Sequence, residues 1–155
     1  MTKYTYIAVG VTLIGMVLVV VITLITLKSR GTEKNDFQFV TVDFNAISVR
    51  AEVVETYFEM NKGLSGRESL AEGDGMLFIF EETDTHSFWM PDMHFAIDII
   101  WLDESMKVVY VKENATPESY PEKFSPPSPA KYVLEVPAGF SHTWGIVEGT
   151  QAIIR

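Results

Sequence analysis

Two patterns of hydrophobic residues divide this chain. The stretch from Tyr4 to Leu27 contains 24 residues without a charge. As a helix it would extend roughly 36 Å, which exceeds the hydrocarbon core of a bilayer at about 30 Å. From residue 37 onward the apolar residues instead form short runs that end at glycine, proline or acidic residues. The first pattern predicts one transmembrane helix, and the second predicts a β domain.

The short runs give the predicted strands of that domain. Residues 47–53 alternate strictly between apolar and polar side chains, and residues 95–102 are the most apolar segment after the transmembrane run. The remaining predicted strands are residues 37–42, 76–80, 86–90, 107–113, 132–136 and 150–154.

Helical signals in the domain are few. Thr56 and Glu59 have the spacing of a capping box, which predicts a short helix over residues 57–62 that ends at Gly63. Residues 141–144 predict one further helical turn.

The predicted fold class follows from these elements. Residues 116–129 hold five of the seven prolines and predict a long irregular loop. Many short strands with frequent turns are typical of antiparallel sheets. We expect a mainly β fold, a small antiparallel barrel or barrel-like sandwich with one or two short helices, preceded by one transmembrane helix.

The same patterns predict the domain organisation. Residues 1–28 are expected to be an uncleaved membrane anchor, since no small-x-small cleavage site follows the apolar run. Residues 29–36 form a polar juxtamembrane linker, and residues 37–155 form the β domain. Lys28, Arg30 and Lys34 outnumber Lys3, which leans toward a cytoplasmic domain, but the very short N-terminal tail is typical of a signal anchor. We expect a single-pass membrane protein with an extracytoplasmic domain.

Charge and composition exclude several classes of partner. From Lys28 onward the chain has 11 basic and 21 acidic residues, a formal net charge of −10. Such a field repels phosphate backbones, so nucleic acid is not an expected partner. The absence of cysteine excludes disulfides, thiolate metal sites and a cysteine nucleophile. The glycines near residues 63–75 lack the Lys-Ser/Thr of a phosphate loop, and no cofactor is expected.

Several segments in order resemble a known family. They are residues 63–70, 73–78, 86–90, 97–100, 132–139 and 145–146. In these segments the chain resembles the domain of unknown function 192 (DUF192) family of bacteria and archaea. The resemblance implies a compact, mostly β, barrel-like domain in a prokaryotic protein, and it implies no reaction. Pro91-Asp92-Met93 stands where relatives usually carry Lys-Asn-Thr, and Ala96 where they usually carry proline, so a binding role of that trio would not transfer to this chain.

Asp98 is the first candidate for a site, because it interrupts the apolar residues 96–101. A buried carboxylate needs a cation or backbone amides as partners. Arg67 is the cation of the resembling segment, and its guanidinium suits a carboxylate. One interpretation is a structural ion pair that attaches the glycine-rich loop to the sheet. The other is a cleft in which Arg67, Trp89, Asp92 and Asp98 bind a small ligand.

A second cluster suggests a metal. His86, Met90, Met93 and His94 combine imidazole with thioether, a ligand set suited to Cu(I). Methionine more commonly fills irregular cores, so this remains a minor alternative and no metal is predicted. The tryptophans, with Phe88, suggest either a stacking wall or core residues, and core residues are the more common case.

The functional prediction is correspondingly general. The sequence has no plausible pair of nucleophile and base, no strong metal-ligand spacing and no cofactor fingerprint. It therefore favours a non-catalytic binding or accessory module held at the membrane surface by residues 4–27. The alternative is a small-ligand-binding protein or an enzyme with a pocket around Arg67, Trp89, Asp92 and Asp98. An apolar pocket with a few polar groups would favour this alternative, and a filled barrel would favour the module.

Overall fold

A computed structural model describes residues 38–155 of the chain. The predicted membrane anchor at residues 4–27 lies outside these described residues. Within them, no helix is both long and apolar enough to cross a membrane.

The described part of the chain is mainly β. Its elements in chain order are β1 (Phe39–Phe44), β2 (Ile47–Val54), α1 (Tyr57–Lys62), β3 (Asp74–Asp84), β4 (Ile97–Leu102), β5 (Val108–Ala115), a 3-10 helix (Pro117–Ser119), β6 (Ala130–Pro137), α2 (Phe140–Trp144) and β7 (Ala152–Ile154). Helix α1 has the predicted capping box, in which the Thr56 hydroxyl accepts from the Glu59 backbone N–H and the Glu59 carboxylate accepts from the Thr56 backbone N–H. The prediction of a mainly β domain with short helices is therefore confirmed.

The strands form one curled sheet in the order β5-β4-β6-β3-β2-β1-β7. The edge strands are β5 and β7. Next to them, Lys107 and Gln151 form an isolated β-bridge that joins the two edges. Near this bridge, the Val108 N–H donates to the Thr150 carbonyl at 2.9 Å. The result is a curled half-barrel.

Two details of the prediction were wrong. Strands β2 and β3 pair in parallel, not antiparallel, because the connection through α1 carries the chain back before β3 begins. Residues 86–90 do not form a strand within the sheet, and Phe88 makes only an isolated bridge with Phe124. This segment instead lies over one face of the sheet, where Met90 is buried in a core cluster.

Each face of the sheet has its own hydrophobic core. The inner core includes Val108 of β5 and Ala152 of β7, so both edges of the curl enclose it. The outer core includes Met76 and Ile99 of the sheet and is covered by Leu64, Met90, Met93 and Phe124 from the connecting segments. The outer core is the one that borders the candidate site.

Candidate functional site

A row of side chains crosses the outer face of the sheet. Glu52 of β2 lies opposite Met76 of β3, Met76 lies opposite Glu135 of β6, and Glu135 lies opposite Ile99 of β4. Residues that are directly opposite in neighbouring strands project from the same face. The register therefore places two carboxylates beside the apolar residues Met76 and Ile99 on this face.

Arg67 neutralises the first of these carboxylates. One guanidinium nitrogen of Arg67 donates to both Oε1 and Oε2 of Glu52, each at 2.8 Å. Glu52 is buried, and the Arg67 side chain is about one-third exposed. Because Arg67 lies in the loop that follows α1, the ion pair attaches this loop to the sheet.

Glu135 is buried without such a partner. Its Oε2 atom has no hydrogen-bond partner among the described residues, and the residue is only 6% exposed. Burial raises the pKa of the Glu135 carboxyl to about 8, and the positive charge of Arg67 opposes this effect only in part. At neutral pH this position therefore carries mostly a neutral carboxylic acid, which is uncommon for a glutamate.

A pocket of about 230 Å³ opens beside Glu135. Its walls are α1 and the loop after it, strand β3, and residues 86–93. The apolar lining consists of Tyr57, Met60, Leu64, Phe78, Phe80, Phe88, Trp89, Pro91 and Met93. The polar lining consists of Asn61, Lys62, Ser65, His86, Ser87 and Glu135. We call this cavity the Glu135 pocket.

Hydrogen bonds connect the loop after α1 to residues 91 and 92 beside the Glu135 pocket. The Ser65 hydroxyl donates to the Pro91 carbonyl at 2.8 Å, and the Gly66 N–H donates to the Asp92 carbonyl at 2.8 Å. Asp92 has a φ of 50°, a left-handed conformation that aspartate and asparagine tolerate better than most residues. Although Pro91-Asp92-Met93 differs from the usual Lys-Asn-Thr, its central aspartate therefore still suits this turn.

The structure separates the two residues that the sequence suggested as an ion pair. Arg67 binds Glu52 on the outer face. Asp98 projects to the opposite face, because its neighbour Ile99 lies opposite Glu135 in the outer row. The predicted pair of Arg67 with Asp98 is therefore wrong, although Arg67 does bind a buried carboxylate.

Backbone amides satisfy Asp98. Its Oδ1 accepts from the N–H of Asn114 at 2.8 Å and of Gly139 at 3.2 Å, and its Oδ2 accepts from the N–H of Ser141 at 2.8 Å. Gly139 is the N-cap of α2 and offers no side-chain cap of its own. Asp98 supplies that cap from strand β4 and thus has a structural role.

Of the other two predicted ligand-binding residues, Trp89 lines the pocket and Asp92 does not. Trp89 lines the pocket, and its ring contacts the Lys123 ammonium at 5.1 Å from the centroid. The Asp92 side chain is exposed, and this residue contributes through its backbone carbonyl. Trp101 is a core residue, whereas Trp89 and Trp144 are each 39% exposed.

The candidate copper ligands lie in different environments. Met90 and Met93 are buried in the outer core, and the exposed His94 lies 3.4 Å from a Glu68 carboxylate oxygen. His86 stacks on Phe80, with 3.5 Å between ring centroids. Across residues 38–155, no three His, Asp or Glu side chains are grouped as a metal site.

Sequence reasoning missed Glu52 and Glu135 for different reasons. Strict alternation over residues 47–53 placed Glu52 on the polar side of its strand, which such a pattern predicts to be solvated. That side is in fact covered by the loop that carries Arg67. Glu135 interrupts the apolar residues 132–136, the same signal that singled out Asp98, and it was available but not used.

The raised pKa of Glu135 predicts that stability depends on pH. In the unfolded chain this carboxyl ionises near pH 4.5, whereas in the folded state it ionises near pH 8. The stability that this group provides is therefore complete below about pH 4.5 and is lost progressively as the pH rises to about 8. We expect Glu135→Gln, which is always neutral, to be more stable than the wild type by about 3 kcal/mol at pH 7.

Urea unfolding at several pH values checks this prediction. The advantage of Glu135→Gln should grow from pH 5 to pH 8 and then level off. The exposed Glu148 provides a matched control, since Glu148→Gln should leave stability nearly unchanged. An advantage that did not vary with pH would contradict the raised pKa.

Comparisons with known proteins agree with this fold. A crystal structure from Novosphingobium aromaticivorans, a protein of unknown function, has 29% identity and a TM-score of 0.70, and the match covers 79% of this chain and 89% of that one. A Sinorhizobium meliloti protein, provisionally described as a transcription regulator, has 24% identity and a TM-score of 0.70, with 76% and 95% coverage. At this identity the second likeness concerns the fold alone.

Sequence comparison gives the family. No curated protein matches the chain. The DUF192 family, described as an uncharacterized ACR, matches residues 40–154. This range covers every residue of the Glu135 pocket. It also covers all seven strands, except for Phe39, the first residue of β1. The chain belongs to the DUF192 family.

Proposed function

We propose that residues 38–155 form a small-molecule-binding domain whose ligand occupies the Glu135 pocket. The observation that carries this proposal is the buried carboxyl of Glu135, which borders a cavity while its Oε2 atom has no partner among the described residues. Buried polar atoms are nearly always hydrogen-bonded, so one that is unpaired beside a cavity needs an explanation. A ligand that donates to the Glu135 carboxyl group would supply such a partner.

The shape and chemistry of the pocket support the proposal. Binding sites for small molecules are concave and mostly apolar, with a few polar groups that fix the orientation of the ligand. Phe78 and Phe88 pack edge to face at 4.8 Å between centroids, which gives the pocket an ordered aromatic wall. The inner core, in contrast, consists of buried apolar side chains, which include Leu77, Ile100 and Leu134.

Binding fits the lining better than catalysis. The Ser65 hydroxyl donates to Pro91, the Ser87 hydroxyl pairs with Ser125 at 2.7 Å, and His86 Nε2 lies 3.0 Å from the Glu82 carbonyl. These hydroxyl and imidazole groups are thus held by partners other than one another. The pocket offers recognition groups, not an activated nucleophile.

The setting of this domain is part of the proposal. The uncharged residues 4–27 support a membrane anchor, and the short N-terminal tail supports an extracytoplasmic position. The domain would then meet its ligand at the membrane surface. Recovery of the full-length chain in the soluble fraction of lysed cells would contradict the membrane-surface position. The proposal of a ligand in the Glu135 pocket would still stand.

Ligand binding itself is tested with a fragment library. We expect small apolar compounds with one polar group to bind the full-length protein and to shift the NMR signals of residues 60–65 and 86–93. Trp89→Ala should weaken such binding by roughly tenfold, because it removes one aromatic wall.

Trp144 provides the matched control for this experiment. It is exposed to the same extent as Trp89, 39%, but does not line the pocket. Trp144→Ala should therefore leave binding unchanged. Equal effects of the two substitutions, or no fragment binding at all, would reject the proposed function.

A further inference from the structure

The Glu135 pocket combines a carboxyl group with aromatic surfaces, a combination that suits a cation. Glu135 shares the pocket lining with the aromatic residues Phe78, Phe88 and Trp89. Aromatic faces attract cations through their quadrupole, most strongly where water is excluded. The acidic chain adds a long-range negative potential that also attracts cations, since its net charge from Lys28 onward is −10.

We propose that the ligand of the Glu135 pocket is a small organic amine with an apolar body, bound as a cation by the Glu135 carboxylate. This inference rests on the proposed function and names its ligand class. The ammonium group would donate to the Glu135 carboxylate, and the apolar body would lie against the aromatic wall. The binding step requires one proton to leave Glu135 for solvent when the amine arrives in its charged form.

The neighbouring charges are consistent with this assignment. The positive charge of Arg67 acts on Glu135, but one guanidinium nitrogen of Arg67 donates to both oxygens of Glu52. Arg67 is therefore already paired with a carboxylate. Lys62 lies in the exposed last turn of α1 and can extend its ammonium into water. His86 also lines the pocket, and its Nε2 lies 3.0 Å from the Glu82 carbonyl.

A carboxylate ligand would face a different balance. It would meet Glu135 in the pocket lining, and Glu135 would have to stay protonated beside it. Two ionised carboxylates repel each other where water is excluded, so such a ligand would bind more weakly as the pH rises. The affinity of an amine would instead rise with pH, so the two classes of ligand are distinguished by the sign of their pH dependence.

Three probes of similar shape test the inference: phenethylamine, 2-phenylethanol and phenylacetate. Calorimetric titration of the full-length protein at pH 8 should show that phenethylamine binds more tightly than the other two probes. Its affinity should rise roughly tenfold for each pH unit between 6 and 8, because only the ionised carboxylate pairs with the ammonium group. Titrations at pH 7 in two buffers with different ionisation enthalpies should report the release of about one proton per ligand.

Two variants separate Glu135 from its neighbours. Glu135→Gln should abolish both the pH dependence and the proton release, whereas His86→Gln should retain them. If 2-phenylethanol binds as tightly as phenethylamine, or if phenylacetate binds most tightly, the amine assignment is overturned while the binding pocket stands. If none of the three probes binds, the proposed function fails as well.

Discussion

Asp98→Ala is expected to destabilise the domain by about 3–6 kcal/mol, because it leaves one buried and two partly buried backbone N–H groups without their acceptor, at roughly 1–2 kcal/mol each. Asp98 itself is fully buried. A small domain has only about 5–15 kcal/mol of stability in total. The variant should therefore be largely unfolded or melt far below the wild type in thermal denaturation.

The reason lies in what Asp98 joins together. Strands β4 and β5 change register between Ile97 and Ile99, and Asn114, with a φ of 49°, lies in the resulting irregularity. Its N–H is withdrawn from the regular ladder and is accepted by Asp98 instead. The same carboxylate caps α2 through Gly139 and Ser141. One side chain thus compensates an irregular strand and a helix without a cap.

Asp98→Asn is the informative control, since it preserves the volume of the side chain. Its amide oxygen can still accept from Asn114 and Gly139, but its amide nitrogen would face the Ser141 N–H, and two donors cannot bond. We expect a loss smaller than that of alanine but clearly measurable. Asp98→Ala that melted like the wild type would show that these three contacts contribute little.

Asp98 also shows how far the sequence could lead. A carboxylate within the apolar residues 96–101 correctly predicted burial and the need for partners. It could not identify them, because Asn114, Gly139 and Ser141 donate through their backbone, and backbone groups leave no residue-type signal. Their approach depends on a register change in β5 and on the path of the chain into α2.

The parallel pairing of β2 and β3 has a similar origin. Short strands with many turns predicted hairpins, and β1 with β2 is indeed a hairpin. The segment between β2 and β3 was correctly predicted to contain a short helix, but its length also permits a crossover, and local patterns do not distinguish the two. That crossover brings Arg67 over Glu52 and makes one wall of the Glu135 pocket, so the site could not be foreseen without it.

Arg67→Ala is expected to cost about 3–5 kcal/mol, because it strands the buried carboxylate of Glu52 without its cation. Glu52 is only 5% exposed, so water cannot replace the lost partner. The same change removes the positive charge that partly opposes the raised pKa of Glu135. The loop of residues 63–67 should also lose its attachment to β2. The wall of the pocket that this loop forms should therefore loosen.

Two double variants make this prediction specific. Arg67→Ala with Glu52→Gln should recover part of the loss, since it removes the stranded charge, so the two changes should be strongly non-additive. Arg67→Ala with Asp98→Asn should instead be nearly additive, because the two side chains lie on opposite faces of the sheet and share no partner. Strong coupling between Arg67 and Asp98 in urea unfolding would restore the ion pair that the sequence suggested.

Arg50 supplies the comparison that distinguishes burial from pairing. It lies in the same strand as Glu52 and binds both oxygens of Asp74, at 3.0 and 3.2 Å, yet its side chain is 61% exposed. Exposed ion pairs contribute about 0–1 kcal/mol, since water solvates the partner that remains. Arg50→Ala should therefore leave the free energy of unfolding nearly unchanged. A cost as large as that of Arg67→Ala would mean that the buried Glu52 carboxylate is not what makes Arg67 important.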